Sequence, residues 1–316
     1  MSARESVCSF FFAPSAPTNL AVCRVLFLGG LFCCFLGYDV AQWARMPADT
    51  WEPVWFVELF GRLPSAGTLT GLGLAWKVSL VLGALGLWRP VSLGVATVLG
   101  AYVLGLTGSF GKANYDIGMP VILLSVFWVA RSTDALSLDA LIARRRGKLP
   151  ALASGEYTWP LATGRVLLAL AFFAAGVAKL RHGGVDWIMT DNLRWLFIGQ
   201  QYTHAPPLNW AVYLADFPWL CRLLAGGTLA LELSYPLALF VPRVRPWLVV
   251  GALGLQLGIH LFMGVNYLAF MIANVVWVDW SRVGNSIHPR KPAPSRLRET
   301  HQPASGNIVP SRSPGT

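Results

Sequence analysis

Long apolar stretches recur along the chain and constrain its fold more than any other feature. Hydrophobic residues make up 55% of the 316 residues and charged residues only 13%. A helix needs about 20 apolar residues to cross the hydrocarbon core of a bilayer. Apolar runs lie at 19–40, 69–88, 91–109, 117–131, 164–181, 219–241, 247–264 and 267–280. The sequence therefore predicts an all-α, polytopic transmembrane helical bundle of about eight spans with no large soluble domain, six or seven being the alternatives because the fourth and last runs are short.

The positions of the basic residues predict which way the spans run. If there are eight spans, the loops on one side carry most of the Arg and Lys, and the opposite loops mix basic with acidic residues. The residues on the basic side include Arg89, Arg131, Arg144, Arg145, Arg146, Lys148, Arg243 and Arg245. Cytoplasmic loops are enriched in Lys and Arg. Both termini are therefore predicted to be cytoplasmic, and the basic loops favour a bacterial inner membrane.

The two ends of the chain differ from its apolar middle. Residues 1–17 are predicted to form a cytoplasmic N-terminal segment, and 18–281 the transmembrane bundle. After Trp280 the composition turns to Ser, Pro, Arg, Asn and Gly. Such a segment buries too little apolar surface to offset the entropy of ordering. Residues 282–316 are therefore predicted to be a disordered basic cytoplasmic tail.

The net charge of +10 does not indicate a nucleic-acid partner. The cations are spread over loops next to the membrane, whereas nucleic-acid binding requires a continuous basic stripe. Membrane lipid is the partner that such a distribution predicts. The five cysteines show no C-x-x-C spacing, so neither a metal site nor a disulfide framework is predicted.

Six ionisable residues fall at or near membrane depth and are the candidate functional groups. They are Asp39, Lys77, Asp116, Lys179, Glu232 and His260. Ionisable residues in spans are costly and usually face the protein interior or a water-filled cavity. Snorkelling of the lysines to the surface and a simple interhelical hydrogen bond for His260 are the structural alternatives. Glu232, flanked by Leu231 and Leu233, needs either a partner or a proton.

Lys179 stands near the end of the fifth run, just before a Gly-Gly-x-Asp-Trp turn. Desolvation disfavours the ammonium, so a lysine in a poorly hydrated pocket can be neutral and act as a general base near pH 7. Arg181 and His182 follow at once and mark a water boundary. The position alone therefore leaves both a buried base and a snorkelling lysine open.

Four segments of the chain together carry a resemblance to a known family. They are Ala175 to Leu180 with the nearby Asp186-Trp187, and residues 21–26, 226–234 and 259–280. These segments resemble, in that order, the lysine motif, the first span, the acidic span and the stretch that follows it in the vitamin K-dependent gamma-carboxylase and its bacterial relatives, the HTTM (horizontally transferred transmembrane) family. The resemblance covers roughly 18–280 and implies an HTTM-like bundle. It also implies that Lys179 is the base that deprotonates a vitamin K-like quinol, whose anion then reacts with oxygen.

The chain departs from the carboxylase in two respects. Asn114-Tyr115-Asp116 stands where the carboxylase has an Asn-His pair, so that Tyr115, a poor base at neutral pH, replaces a functional histidine. The carboxylase's large lumenal region, which grips the substrate's propeptide, has no counterpart. Carboxylation of a tethered protein is therefore not expected, although a pocket of quinol size is.

Two functions follow as expectations. In the first, a carboxylase-like enzyme of lyase or epoxidase type acts at the outer leaflet on a quinol or another lipid-soluble small molecule. Its catalytic residues are Lys179, His260 and Tyr115, and its cofactor contacts are Glu232, Lys77 and Asp116. The alternative is a non-catalytic binder or proton-coupled carrier in which Glu232, His260 and Lys77 form a buried network. The substrate and the oligomeric state stay open.

Overall fold

The regular structure of the chain is helical throughout the part that the structure describes. The computed structural model describes residues 3–54, 57–58, 61–110, 118–203, 206, 208, 210–281 and 283. In these ranges the extended pairing is confined to one bridge between Ser15 and Ser154. The α-helices are α1 (Ala3–Phe12), α2 (Pro17–Phe35), α3 (Ala66–Leu85), α4 (Arg89–Gly108), α5 (Gly118–Val129), α6 (Leu138–Arg145), α7 (Trp159–Gly183), α8 (Asp186–Met189), α9 (Asn192–Thr203), α10 (Trp210–Ala215), α11 (Pro218–Ser234), α12 (Leu237–Phe240), α13 (Arg245–Met263) and α14 (Leu268–Ala273). The predicted all-α class is confirmed.

Among the described residues, five helical segments are long and apolar enough to cross a membrane. They are Pro17–Phe35, Ala66–Leu85, Arg89–Gly108, Gly155–Gly183 and Arg245–Met263. Their lengths of 19 to 29 residues match the thickness of a bilayer core. The prediction of an integral membrane protein therefore agrees with the structure.

The other three predicted spans correspond to shorter helices. α5 has 12 residues, and α14 continues through a 3-10 turn to give the apolar segment Leu268–Trp277. α11 has 17 residues and is followed at once by the four-residue α12. Pro236 separates these two helices, and a proline cannot donate a main-chain hydrogen bond within a helix. The count of eight spans stays a prediction.

Apolar side chains pack between neighbouring helices to form the core. α2 packs against α3, α3 against α4, and α4 against α5, while α7 packs against α11. Phe27 of α2, Trp76 of α3 and Phe127 of α5 are among the largest fully buried side chains. Helix–helix contact in a membrane depends on such close packing, because lipid tails are as apolar as the side chains.

Three buried polar side chains join the last helices, and the sequence did not indicate them. Asn274 accepts a hydrogen bond from the Tyr235 hydroxyl at 3.1 Å, and its side-chain nitrogen donates to Gln256 Oε1 at 3.4 Å. All three side chains are at most 4% exposed. Tyr235 follows α11, Gln256 lies in α13 and Asn274 follows α14, so the network ties three helices together.

Of the predicted tail 282–316, only residue 283 is described. Tyr115 and Asp116 also lie outside the described residues.

Candidate functional site

A lysine–glutamate ion pair connects α7 and α11. Lys179 Nζ lies 2.6 Å from Glu232 Oε1 and 2.8 Å from Glu232 Oε2, so the ammonium contacts both carboxylate oxygens. The Lys179 side chain is 22% exposed and the Glu232 side chain 6%. Lys179 is therefore turned into the protein, and the partner that Glu232 requires is this amine.

A glycine lets the two helices approach closely enough for this contact. Gly176 precedes Lys179 by about one turn of α7 and is buried. A Cβ at this position would lie 3.1 Å from Glu232 Cβ and 3.0 Å from a methyl carbon of Leu233. Contacts this short would require Glu232 or Leu233 to move by a few tenths of an ångström. Gly176 therefore leaves room for the close contact of α7 with α11.

The turn after α7 places an aromatic ring beside the amine. Gly184 has a φ of +56°, a region that glycine adopts readily, and the chain turns there into α8. Trp187 of α8 then lies with its ring centroid 5.5 Å from Lys179 Nζ. A cation is attracted to the face of an indole ring at this distance. The Asp-Trp turn of the sequence motif thus belongs to the site.

The pair lies on the wall of a cavity of about 530 Å³. Its described lining comprises Lys179, Trp187, Leu193, Leu196, Phe197, Leu214, Leu224, Ala225, Thr228, Glu232, Gly254, Leu255, Gly258, Ile259, Phe262, Met263, Val265 and Tyr267. Most of these side chains are aliphatic or aromatic, and Lys179 and Glu232 are the two charged ones among them. A volume of a few hundred Å³ with few polar groups is typical of a pocket for an apolar small molecule.

Helix α13 forms one wall of the cavity, and part of that wall is main chain because two of its residues are glycines. Gly254 and Gly258 lie one turn apart on α13 and both line the cavity. A Cβ at Gly254 would have no neighbouring atom within 4 Å, and one at Gly258 would meet only a Phe262 carbon at 4.0 Å. The two glycines therefore leave space that larger side chains would fill.

Short helices of the loop between α7 and α11 provide the opposite wall. α9 contributes Leu193, Leu196 and Phe197, and α10 contributes Leu214. Asp191, just before α9, lies 3.7 Å from Arg222 on α11 and so links this loop to the site. The sequence interpretation missed α9. The spacing of its three apolar residues, i, i+3 and i+4, is the helical pattern that could have revealed it.

The ion pair determines the charge that a ligand meets. Lys179 and Glu232 form an ion pair at 2.6 Å, and a pair of one cation and one anion carries no net charge. Such a pair offers a ligand both a proton donor and a proton acceptor.

Of the other predicted site residues, His260 and Lys77 are described, and neither lines the cavity that holds this pair. His260 is on α13, its Nδ1 is 3.2 Å from the main-chain oxygen of Val265, and its neighbours Ile259 and Phe262 line the cavity. Lys77 donates to the main-chain oxygens of Leu36 and Tyr38 at 2.9 and 3.0 Å. Lys77 lines a second cavity of about 350 Å³. The structure thus brings Lys179 and Glu232 together and places Lys77 elsewhere.

The functional interpretation rests on the contacts of Lys179 and Glu232, because comparisons with known proteins do not add to it. The chain was compared with protein-family models, with curated proteins and with solved structures, and none of the three gave a match. The resemblance to the HTTM family therefore stays a prediction from the sequence motifs.

Proposed function

We propose that the protein binds a lipid-soluble quinol in the cavity beside Lys179 and Glu232 and removes a proton from it, as a carboxylase-like membrane enzyme. The observation that carries this proposal is a charged pair with no net charge on the wall of an otherwise mostly apolar cavity. A quinol matches both features, since its ring is apolar and each hydroxyl both donates and accepts a hydrogen bond. A fatty-acid anion matches less well, because Glu232 already neutralises the ammonium.

We further propose eight spans, with both termini in the cytoplasm of a bacterium and the site in the outer half of the inner membrane. Four hydrogen bonds support the alternation of spans. Asp139 accepts from the main chain of Arg89, and Asn19 accepts from the main chain of Trp280. At the other end, main-chain bonds run from Glu52 to Ser109 and from Leu208 to Leu261. Each bond joins segments that an eight-span order places at the same end.

The chemistry of the pair follows from its geometry. The O–H bond of the quinol breaks and its proton passes to the pair, where the Glu232 carboxylate accepts it. The Lys179 ammonium, at hydrogen-bond distance from that carboxylate, stabilises the oxyanion that forms. Molecular oxygen is the oxidant: it takes two electrons and two protons, one of them the proton held by Glu232, so that the quinol becomes the quinone and oxygen becomes hydrogen peroxide. Glu232 thus shares the role of base that the motif alone gives to Lys179.

The proposal predicts that Lys179→Ala and Glu232→Gln each lower the protein-dependent rate of quinol oxidation about 100-fold or more, the usual contribution of a positioned acid or base. The measurement is oxygen consumption by purified membranes supplied with a reduced naphthoquinone. Lys77→Ala is the matched control, because Lys77 is also a lysine at membrane depth but lines the other cavity. Its rate is expected to equal that of the unmodified protein.

Retention of the full rate by a folded Lys179→Ala protein would exclude the enzyme function. Mass spectrometry of lipids that copurify with the protein separates the two expected functions. A retained quinone supports the quinol site, whereas proton-coupled uptake without any bound quinone supports the carrier.

Filling the space beside Gly254 and Gly258 is predicted to exclude the ligand without touching the ion pair. Gly254→Leu places a side chain in the open space beside α13, so we expect the dissociation constant of a naphthoquinone to rise about tenfold, equivalent to ~1.4 kcal/mol. Gly71→Leu on α3 is the control, since a Cβ there also meets nothing within 4 Å but lies away from the cavity. Equal affinity of both variants, measured by equilibrium binding, would place the ligand outside this cavity.

A further inference from the structure

One arginine of α7 and the first residue of α13, also an arginine, both contact the ring of one buried tryptophan. The guanidinium carbon of Arg165 lies 5.9 Å from the ring centroid of Trp277, and that of Arg245 lies 5.7 Å from it. Trp277 is 7% exposed, while both arginines are partly exposed. Two positive charges are therefore held on one apolar surface, where their mutual repulsion is stronger than in water.

Each arginine is anchored through its Nε atom. Arg165 Nε donates to the main-chain oxygen of Val276 at 2.8 Å, and Arg245 Nε donates to that of Ala238 at 2.8 Å. A terminal nitrogen of Arg245 also makes a long contact of 3.5 Å with the Leu239 oxygen. These bonds fix the two guanidinium planes, and an arginine held in this way loses little further entropy when it binds an anion.

The surroundings do not neutralise both charges. Asp279 acts electrostatically on Arg165, and so does the positive charge of Arg245. The first turn of α13 begins with Arg245, contains no acidic residue and has no side-chain cap. Arg243 lies two residues earlier and is exposed. Within the described residues, Asp279 is thus the carboxylate that acts on Arg165, while Arg245 and Arg243 add positive charge nearby.

We propose that Arg165 and Arg245 bind the phosphate group of an anionic phospholipid. Guanidinium groups are well suited to phosphate oxygens, and basic pockets between helices at the cytoplasmic side of membrane proteins bind anionic headgroups. The site is separate from the quinol cavity, because neither arginine lines it.

The residues next to the arginines favour a lipid over a soluble phosphate. Phe240, Trp247 and Val250 are 76%, 79% and 66% exposed. They lie on α12 and the first part of α13, close in sequence to Arg245. Exposed apolar side chains beside a phosphate site offer contacts to acyl chains, and a tryptophan at the level of the headgroups is typical of membrane proteins.

The test is a lipid titration of the purified full chain in neutral detergent, followed by its thermal unfolding midpoint. Phosphatidylglycerol is expected to raise the midpoint at lower concentration than phosphatidylcholine. Arg165→Gln and Arg245→Gln are each expected to raise the half-saturating concentration of phosphatidylglycerol about tenfold, as loss of a charged hydrogen bond does. Arg144→Gln on α6, an exposed arginine, is the control and should leave it unchanged.

Two outcomes would overturn the proposal. One is equal affinity of the wild-type protein and both glutamine variants for phosphatidylglycerol. The other is an equal rise in midpoint with inorganic phosphate, which would make the site one for a soluble anion. If the glutamine variants do not fold, Arg165→Lys and Arg245→Lys decide, because they keep the charge and lose the paired N–H groups. Weaker binding that still prefers phosphatidylglycerol supports the proposal, and unchanged binding contradicts it.

Discussion

Lys179→Met is expected to lower the free energy of unfolding by about 3–5 kcal/mol, because it leaves the carboxylate of Glu232 buried without its partner. Glu232 is 5% exposed and both of its oxygens contact the amine, so the variant removes both contacts from a nearly buried carboxylate. The double variant Lys179→Met/Glu232→Leu removes both charges and should regain most of that loss, since apolar replacement of a whole buried pair is often neutral. Unfolding in mixed detergent micelles provides the measurement.

The control for this comparison of single and double variants is an ion pair of similar length at the surface. Arg131 Nε lies 2.9 Å from Asp134 Oδ2, but the arginine side chain is 58% exposed. Its replacement by methionine should cost about 1 kcal/mol or less. If the Lys179→Met protein proved as stable as the Arg131→Met protein, or if the double variant were no more stable than Lys179→Met, the pair would not be the buried unit described above.

The stability result also decides how the activity test is interpreted. Loss of quinol oxidation in Lys179→Ala reports on chemistry only if the variant is folded. Glu232→Gln keeps the shape of the side chain and its ability to hydrogen-bond Lys179. Similar losses of rate in both variants, with folding intact in Glu232→Gln, would assign the effect to the proton acceptor rather than to the packing of α7 on α11.

The apolar runs located the helices better than they located the helix ends. The run 219–241 contains two helices because Pro236 interrupts it, and a hydropathy pattern does not register the loss of one N–H group. The run 117–131 shrinks to the 12 residues of α5 in the described part of the chain. Ends at a left-handed glycine are easier to predict: Gly86 and Gly264 follow α3 and α13 with φ of +67° and +71°.

The candidate site was predictable residue by residue but not as a pair. The cost of an ionisable group in an apolar span singles out Lys179 and Glu232 separately. Their contact depends on the packing of α7 against α11, 53 residues apart, which periodicity does not specify. Lys77 is equally costly in an apolar span. It donates instead to the main-chain oxygens of Leu36 and Tyr38, since a helix that ends nearby offers free carbonyl groups.

Arg24 shows what this kind of reasoning overlooks. It lies in the first third of its apolar run and entered the sequence interpretation only as part of the first-span motif. In the structure it is fully buried. Its guanidinium donates to the main-chain oxygens of Ser132 at 2.5 Å, Leu136 at 2.6 Å and Ala84 at 3.3 Å. Carbonyl groups in loops and at helix ends carry no sequence signal, so an arginine that they surround looks like a simple interfacial charge.

Arg24→Leu is accordingly expected to lower the free energy of unfolding by about 3 kcal/mol or more, since it leaves three carbonyl groups without their donor. Leu136 has a φ of +45°, an unfavourable conformation for leucine, and the loop around it should relax once Arg24 releases its oxygen. Arg24→Lys keeps the charge but not the fork of donors, so an intermediate loss is expected. Arg89→Leu, which removes one such bond to Ala130, should cost about 1 kcal/mol. Equal losses for Arg24→Leu and Arg89→Leu in micelle unfolding would show that the buried arginine does not hold the loop between α5 and α6 to the end of α3.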